Sequence, residues 1–280
     1  MIAVRNLSIE KLPLSEEILI EIGSEGCWIK FCNVMDYYIE HYNLLYGRKV
    51  RIVTPRVSQG HVSDVMNRII TIIKLLDIEA IIINDYGVLY SFNKTKIRKK
   101  LIYGRLLVRC QEYEFDYDKR FSPDEDKNII SSWLYPSIVY TKKIEYLKSM
   151  QFTGVELSPS NSIKELLQCK GEFDLDIHIH YNSYIGAYGR VCVTAKYQKV
   201  PIGQCSGLCD QVHKLKLDSI YGKDLKLSTK NIKNFENNAL IGNVVYFLRK
   251  ITDFPFELCH DVILDARLND LKTFSIDVMK

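Results

Sequence analysis

Apolar positions along this chain follow two spacings, one typical of buried strands and one typical of amphipathic helices. Strands are predicted for the short apolar runs at residues 18–23, 49–55, 80–85, 101–108, 154–158 and 261–267. The run at 80–85 is almost wholly apolar, as in parallel strands that are covered on both faces. Helices are predicted where apolar residues recur every three or four positions, at 34–45, 61–76, 140–150, 163–167 and 239–251.

The alternation of strands with helices predicts the fold class. It is typical of parallel βαβ units, and seven or eight units in 280 residues favour an α/β fold of the TIM-like barrel type, regular or imperfect, over an open sheet. We therefore expect one barrel-like domain over residues 1–280, with a cysteine-rich loop inserted at 190–210. Residues 111–129 are charged and irregular, which predicts a surface loop or lid, and residues 215–229 predict a hairpin.

One strand carries a polar face. Residues 173–181 alternate strictly, so that Asp174, Asp176, His178 and His180 lie on one side of the predicted strand. Two imidazoles at this spacing could share a metal ion. The polar face of an alternating strand is the interpretation that we favour.

The composition and the absence of common motifs argue against several classes of function. The sequence has no apolar run of 18 residues and no apolar core near Met1, which predicts neither a membrane span nor a signal peptide, and so a cytoplasmic protein. The net charge of +4 is mild, and the basic run Lys94–Lys100 is typical of a solvated surface. P-loop, dinucleotide-binding, Gly-x-Ser-x-Gly and His-Glu-x-x-His motifs are absent, which excludes the commonest nucleotide-binding and hydrolase classes.

Eight cysteines in a reducing compartment favour metal ligation or redox chemistry over disulfides. Cys192, Cys205 and Cys209 fall within 18 residues of a polar, glycine-containing segment, which favours a metal or cluster site over three buried apolar side chains. Cys27 follows the first predicted strand and would lie on the same barrel rim, so it is the preferred fourth ligand over Cys32, whose neighbours suit a core. A dispersed set of four thiolates favours an iron–sulfur cluster modestly over zinc. The other cysteines are predicted to be structural, namely Cys110, Cys169 and Cys259.

Polar residues at predicted strand ends are candidates for a substrate pocket, because reactive groups of β/α barrels gather there. Asn84, Asp85 and Arg105 could line such a pocket or equally tie the rim together through hydrogen bonds. Glu156, His178 and His180 complete the candidate pocket set. The substrate class stays open between a small aromatic compound, an RNA base and a peptide.

Five segments carry a resemblance to a known family. The chain resembles the collagenase-like peptidase family, peptidase family U thirty-two, and within it the iron–sulfur members of oxygen-independent ubiquinone biosynthesis. The similar segments are Gly23–Cys27, Asn84–Leu89, Gly104–Leu107, Val155–Ser158 and Tyr188–Lys196. The Cys-x₁₂-Cys-x₃-Cys spacing from Cys192 to Cys209 is also that of the family.

The resemblance implies a barrel-like fold and a [4Fe-4S] cluster on Cys27, Cys192, Cys205 and Cys209. It implies an oxygen-independent hydroxylase that works with a paralogous subunit, as a heterodimer with residues 184–210 near the interface. Two alternatives remain: a peptidase, for which no base stands beside a serine or cysteine, and a non-catalytic cluster-bearing partner of a paralogue. The charged segment 111–129 departs from the family, so the pathway is not implied.

Overall fold

Eight parallel strands close into a barrel in the computed structural model of this protein, and the predicted TIM-like α/β barrel is confirmed. The structure describes residues 1–5, 17–108, 141–159, 161–168, 175–189, 192–197, 199–201, 205, 212–214, 238–248 and 254–268. Its strands are β1 (Ile2–Arg5), β2 (Leu19–Gly23), β3 (Val50–Val53), β4 (Ile78–Ile83), β5 (Lys100–Tyr103), β6 (Phe152–Leu157), β7 (Asp176–His180), β8 (Ser183–Tyr188), β9 (His213–Lys214), β10 (Asn238–Ile241), β11 (Val244–Leu248) and β12 (Asp261–Asp265). Around the barrel the order is β1, β12, β7, β6, β5, β4, β3, β2.

Helices surround the barrel and cover its outer face. They are α1 (Trp28–Glu40), α2 (Val62–Leu75), α3 (Tyr86–Asn93), α4 (Thr141–Ser149), α5 (Asn161–Gln168) and α6 (Val193–Tyr197). The main apolar core lies between outward-facing strand residues and these helices, as with Ile81 of β4 and Ile69 of α2. Because strands and helices both bury apolar residues in this layer, the apolar pattern of the sequence predicted both kinds of element.

A second sheet is inserted between the barrel strands β7 and β12. It is antiparallel, in the order β8, β11, β10, β9. The helix that we predicted over residues 239–251 is wrong, because this stretch forms β10 and β11 around a turn at Gly242 and Asn243. Gly242 has a φ of +62°, which a glycine adopts readily and which reverses the chain. Both strands are largely buried, so their apolar run lacks the polar alternation that would mark them as strands.

The predicted loops fall partly outside the described residues. Segment 111–129, the hairpin at 215–229, Asp174 and the cysteines Cys110, Cys169 and Cys209 lie there, and the loop 190–210 is described only in part. The predicted strand 101–108 is shorter than expected, since β5 ends at Tyr103 and residues 105–107 form a turn. β1 was not predicted at all, because four residues next to Met1 carry too little pattern.

The inside of the barrel combines apolar and charged layers. Small apolar clusters fill part of it, formed by Val53, Ala80, Ile82 and Ile102, and by Ala3, Leu19 and Ile263. Beside them lies Arg5, whose guanidinium is 1% exposed and donates to Glu21 at 2.7 Å, to Glu25 at 2.7 Å and to Glu156. One arginine therefore joins β1, β2, the loop after β2, and β6.

Replacing Arg5 by Met should destabilise the barrel strongly. The change leaves the three buried carboxylates around it without their shared cation, and we expect a loss of about 3–5 kcal/mol in unfolding free energy. Urea unfolding followed by circular dichroism measures it.

The matched control is Arg68→Met, which removes a partly exposed ion pair with Asp36 on the helical layer. Such pairs contribute about 1 kcal/mol or less. Equal losses in the two variants would contradict the central role of Arg5.

Candidate functional site: the barrel mouth and its cysteines

The antiparallel sheet covers the mouth of the barrel at the carboxyl ends of the strands. The Tyr246 hydroxyl of β11 donates to Glu25 at 2.5 Å, and Arg105 donates to the carbonyl and the hydroxyl oxygen of Ser183 at 3.3 and 3.2 Å. The Arg105 guanidinium also lies 5.4 Å from the centre of the Tyr246 ring. These contacts attach the sheet directly to the charged groups of the barrel.

Glu25 is the most heavily hydrogen-bonded carboxylate of the mouth. Its two oxygens accept from Arg5, twice from Arg105 (2.6 and 2.9 Å) and once from Tyr246. A carboxylate offers about four acceptor positions, so Glu25 is saturated. Burial alone would raise the pKa of Glu25, but the charges of Arg105 and Arg5 hold it well below its usual range.

His180 lies at the end of β7 and faces these charges, yet its imidazole has no hydrogen-bond partner among the described residues. Neither ring nitrogen meets a described residue in full hydrogen-bond geometry, and the side chain is 0% exposed. The Nε2 atom lies 3.5 Å from Glu156 Oε1 without hydrogen-bond geometry. Burial, and then the charges of Arg105 and Arg5, lower the pKa of His180 to about 4, so the ring is neutral at pH 7.

Glu25, Glu156 and His180 place three potential ligand atoms within 4.8 Å of one another, which is compact enough for a metal ion. The arrangement does not fit a cation well. Glu25 would have to give up one of its four donors, and two buried guanidiniums already face the same point. These three residues therefore form an ion network that is complete except at His180.

The two histidines of β7 lie in different networks, although both point into the barrel. His178 Nδ1 lies 2.8 Å from Asp261 Oδ2 and 3.3 Å from an Arg51 nitrogen, and Arg51 also contacts Asp261 at 2.5 Å. Asp176 is exposed and faces His260 at 3.5 Å. His178 thus belongs to an ion cluster with Arg51 and Asp261, farther from the carboxyl end of β7 than His180, which faces the mouth.

Asn84 and Asp85 lie at the end of β4 and serve the backbone around them. The Asn84 amide donates to the Thr54 carbonyl at 3.1 Å and its oxygen accepts from the Leu106 amide at 3.2 Å. Asp85 accepts from the Gly87 amide at 2.7 Å and so caps α3. Of the candidates at predicted strand ends, these two tie the rim together, whereas Arg105 and Glu156 face the interior of the mouth.

Two of the candidate ligand cysteines, Cys27 and Cys205, lie within electrostatic range of a third, Cys192. Cys27 directly precedes α1, Cys192 directly precedes α6, and both are half-buried, as is Cys205. Burial raises the pKa of the Cys192 thiol, and negative charge on Cys27 and on Cys205 raises it further. The fold therefore brings residues from two distant parts of the chain to the surroundings of Cys192.

The turn between β10 and β11 holds the two cysteine-bearing segments in place. Thr194 donates to the Gly242 carbonyl from its amide at 3.0 Å and from its hydroxyl at 2.6 Å. Gly26 packs so closely against Asn243 and Val244 that a side chain there would collide with both. Apolar periodicity did not reveal this support, because the turn lies in the stretch 239–251 for which a helix was predicted.

Cys32 lies in the core and is also within electrostatic range of Cys27. It is 6% exposed in the core beneath α1, and burial raises its pKa to about 11. Cys259 is half-buried beside the Pro255 carbonyl.

The spacing of the three rim thiols differs from that of a single zinc site. Among the described residues, only the Glu25 group gathers three ligand atoms within 4.8 Å, so at least one pair of these sulfurs is farther apart. Tetrahedral zinc with bonds of about 2.3 Å would hold its sulfurs about 3.8 Å apart.

Comparisons with known proteins give no relative. No family model, curated sequence or solved structure matches this chain. Within the described residues, no helix is both long enough and apolar enough to cross a membrane.

Stability should fall as the pH drops from about 6.5 to 4. In this window the unfolded chain protonates His180, whereas the native ring, with its pKa of about 4, does not. The facing carboxylates of Glu25 and Glu156 and the guanidiniums of Arg5 and Arg105 keep their charges there, since both carboxyl pKa values are lowered. The expected loss is about 3 kcal/mol at most.

Urea unfolding of the native protein and of His180→Gln at pH 7 and pH 5 tests this pH dependence. The variant should lose less stability between the two pH values. Parallel losses would show that His180 does not cause it.

Proposed function

We propose that this protein is an iron–sulfur protein that acts as an oxygen-independent hydroxylase or related modifying enzyme, or as a subunit of one. Cys27, Cys192, Cys205 and Cys209 would hold a [4Fe-4S] cluster. The observation that supports this most is that Cys27 and Cys205 lie close enough to Cys192 to raise its pKa, although 164 residues separate Cys27 from Cys192 along the chain. Cys209 lies outside the described residues.

The chemistry of the donor set fits a metal cluster. Burial and negative charge on Cys27 and Cys205 raise the pKa of the Cys192 thiol, and a bound cation would offset that repulsion and stabilise the deprotonated ligands. Thiolates are the usual ligands of iron–sulfur clusters. The dispersed positions of the four cysteines along the chain favour the cluster over zinc.

The residues around the rim would prepare the mouth for such chemistry. A cluster would supply electron transfer to or from a bound substrate or oxygen donor. The antiparallel sheet shields the mouth from water through Tyr246 and Ser183, and Arg105 and Glu25 fix the loop that carries Cys27. His180 and Glu156 offer polar groups on the inner side.

The peptidase alternative has less support. A nucleophile must stand beside a base. His178 is bonded to Asp261 and Arg51, and His180 has no hydrogen-bond partner among the described residues. The third possibility is a non-catalytic partner that only carries the cluster.

Anaerobically purified protein should be brown and contain about four iron atoms per chain. Each of Cys27→Ala, Cys192→Ala, Cys205→Ala and Cys209→Ala should lose most of the iron, because each removes a ligand. Iron and sulfide analysis with an absorption spectrum measures this.

Two variants serve as matched controls, Cys32→Ala in the core and Cys259→Ala outside the rim. Both should keep the iron content of the parent protein. Iron that survives Cys27→Ala but is lost in Cys32→Ala would reassign the ligand, and a colourless parent after reconstitution would refute the cluster.

A paralogous subunit should cover the cysteine rim. Cys192 and Cys205 are partly exposed, and Tyr188 at the end of β8 is 39% exposed, so a cluster there would meet water and oxygen unless a partner covers it. We propose a heterodimer, or failing that a homodimer, with residues 184–210 near its interface. Co-expression with a paralogue should raise cluster occupancy and give a heterodimer in gel filtration. A monomer that keeps a full cluster alone in air would contradict this.

A further inference from the structure

The buried imidazole of His180 is an incomplete part of the described ion network around Arg5, as is the Oε1 atom of Glu21. Nearly all buried polar groups in proteins find a hydrogen-bond partner in protein, water or ligand. Among the described residues, His180 Nδ1 lacks a partner, Nε2 makes only a long contact of 3.5 Å to Glu156 Oε1, and the side chain is 0% exposed. The ring lies at the carboxyl end of β7, the end of a β/α barrel where ligands bind.

Charge decides what could satisfy this ring. Arg5 is bonded to Glu21, Glu25 and Glu156, so its charge is already matched. A bound anion would add a further negative charge to an interior in which three carboxylates already face only two guanidiniums. A ligand cation would lie beside those same guanidiniums, and Glu25 has no free acceptor position for it.

The ligand group that would satisfy the ring is therefore an uncharged one. A neutral imidazole donates from one nitrogen and accepts at the other. Glu156 lies 3.5 Å away, and its second oxygen accepts one long bond of 3.3 Å from the Arg105 amide. A hydroxyl group, which both donates and accepts, matches this pair.

We propose that the barrel mouth binds a small, uncharged, hydroxyl-bearing ligand through His180, with Glu156 as the second contact. The site is separate from the cysteine ligands and does not depend on the proposed cluster. Nuclear magnetic resonance of protein labelled with ¹⁵N in its histidine rings tests it, because ring nitrogen shifts report hydrogen bonding directly. The probes are phenol and glycerol, with benzoate and Zn²⁺ as charged comparisons.

Phenol or glycerol should shift the His180 signals in a saturable way, and benzoate and Zn²⁺ should not. The His178 signals serve as an internal control, because that ring is bonded to Asp261 and should stay unchanged. The assignment comes from His180→Gln, in which the responding signals disappear and the affinity for the responding probe falls at least tenfold.

Two results would overturn the proposal. The first is no His180 response to either neutral probe, which would leave water alone as the partner of the ring. The second is a stronger response to benzoate or Zn²⁺ than to the neutral probes, which would refute the charge argument. Protein without iron that still shows the phenol or glycerol response would separate this site from the cluster.

Discussion

The guanidinium of Arg5 binds three glutamates inside the barrel, and much of the rest of the structure depends on that contact. A buried cation without partners would be expensive, and so would each of the three carboxylates alone. Their mutual pairing ties β1, β2 and β6 across the barrel interior. Because Arg5 lies in a strand of four residues, this network also fixes a strand whose own backbone pairing is short.

The same network determines how the second sheet sits on the mouth. Glu25 accepts hydrogen bonds from Arg5 inside the barrel and from the Tyr246 hydroxyl of the second sheet. Arg105 donates both to Glu25 and to Ser183 of β8. The sheet is therefore positioned by hydrogen bonds to charged groups, which are directional and stronger than neutral ones. Apolar packing alone would hold it with less defined geometry.

The periodicity of apolar residues was sufficient to predict the barrel, but not the antiparallel sheet that covers its mouth. Strands such as β4 have long apolar runs, and their alternation with helices limits the topology to a few solutions. β10 and β11 are also apolar, and a run of that kind does not distinguish a strand from a helix without the turn at Gly242. β1 is too short for any pattern, although its Arg5 is central to the ion network.

The candidate site, like the fold, could be predicted from the sequence only in part. Position at strand ends made Arg105 a candidate for a pocket, because carboxyl ends of parallel strands converge, and the structure places its guanidinium against Glu25 in the mouth. It could not separate His178 from His180, since two residues on one strand face differ only in depth, and depth decides which partners each meets. The roles of Tyr246 and Ser183 depend on the missed sheet, and neither residue type carries a signal by itself.

The ion network and the cysteine rim are linked through one short loop. Glu25 lies two residues before Cys27, and its saturated carboxylate cannot move without breaking bonds to β1, to the turn after β5 and to β11. Gly26 between them packs against Asn243, whose neighbour Gly242 accepts two bonds from Thr194, two residues after Cys192. The positions of Cys27 and Cys192 are therefore set by the charged groups next to Glu25 and by the turn at Gly242 and Asn243, so the protein's own contacts hold the rim in place. Preorganisation of this kind lowers the entropic cost of gathering thiols from distant parts of the chain.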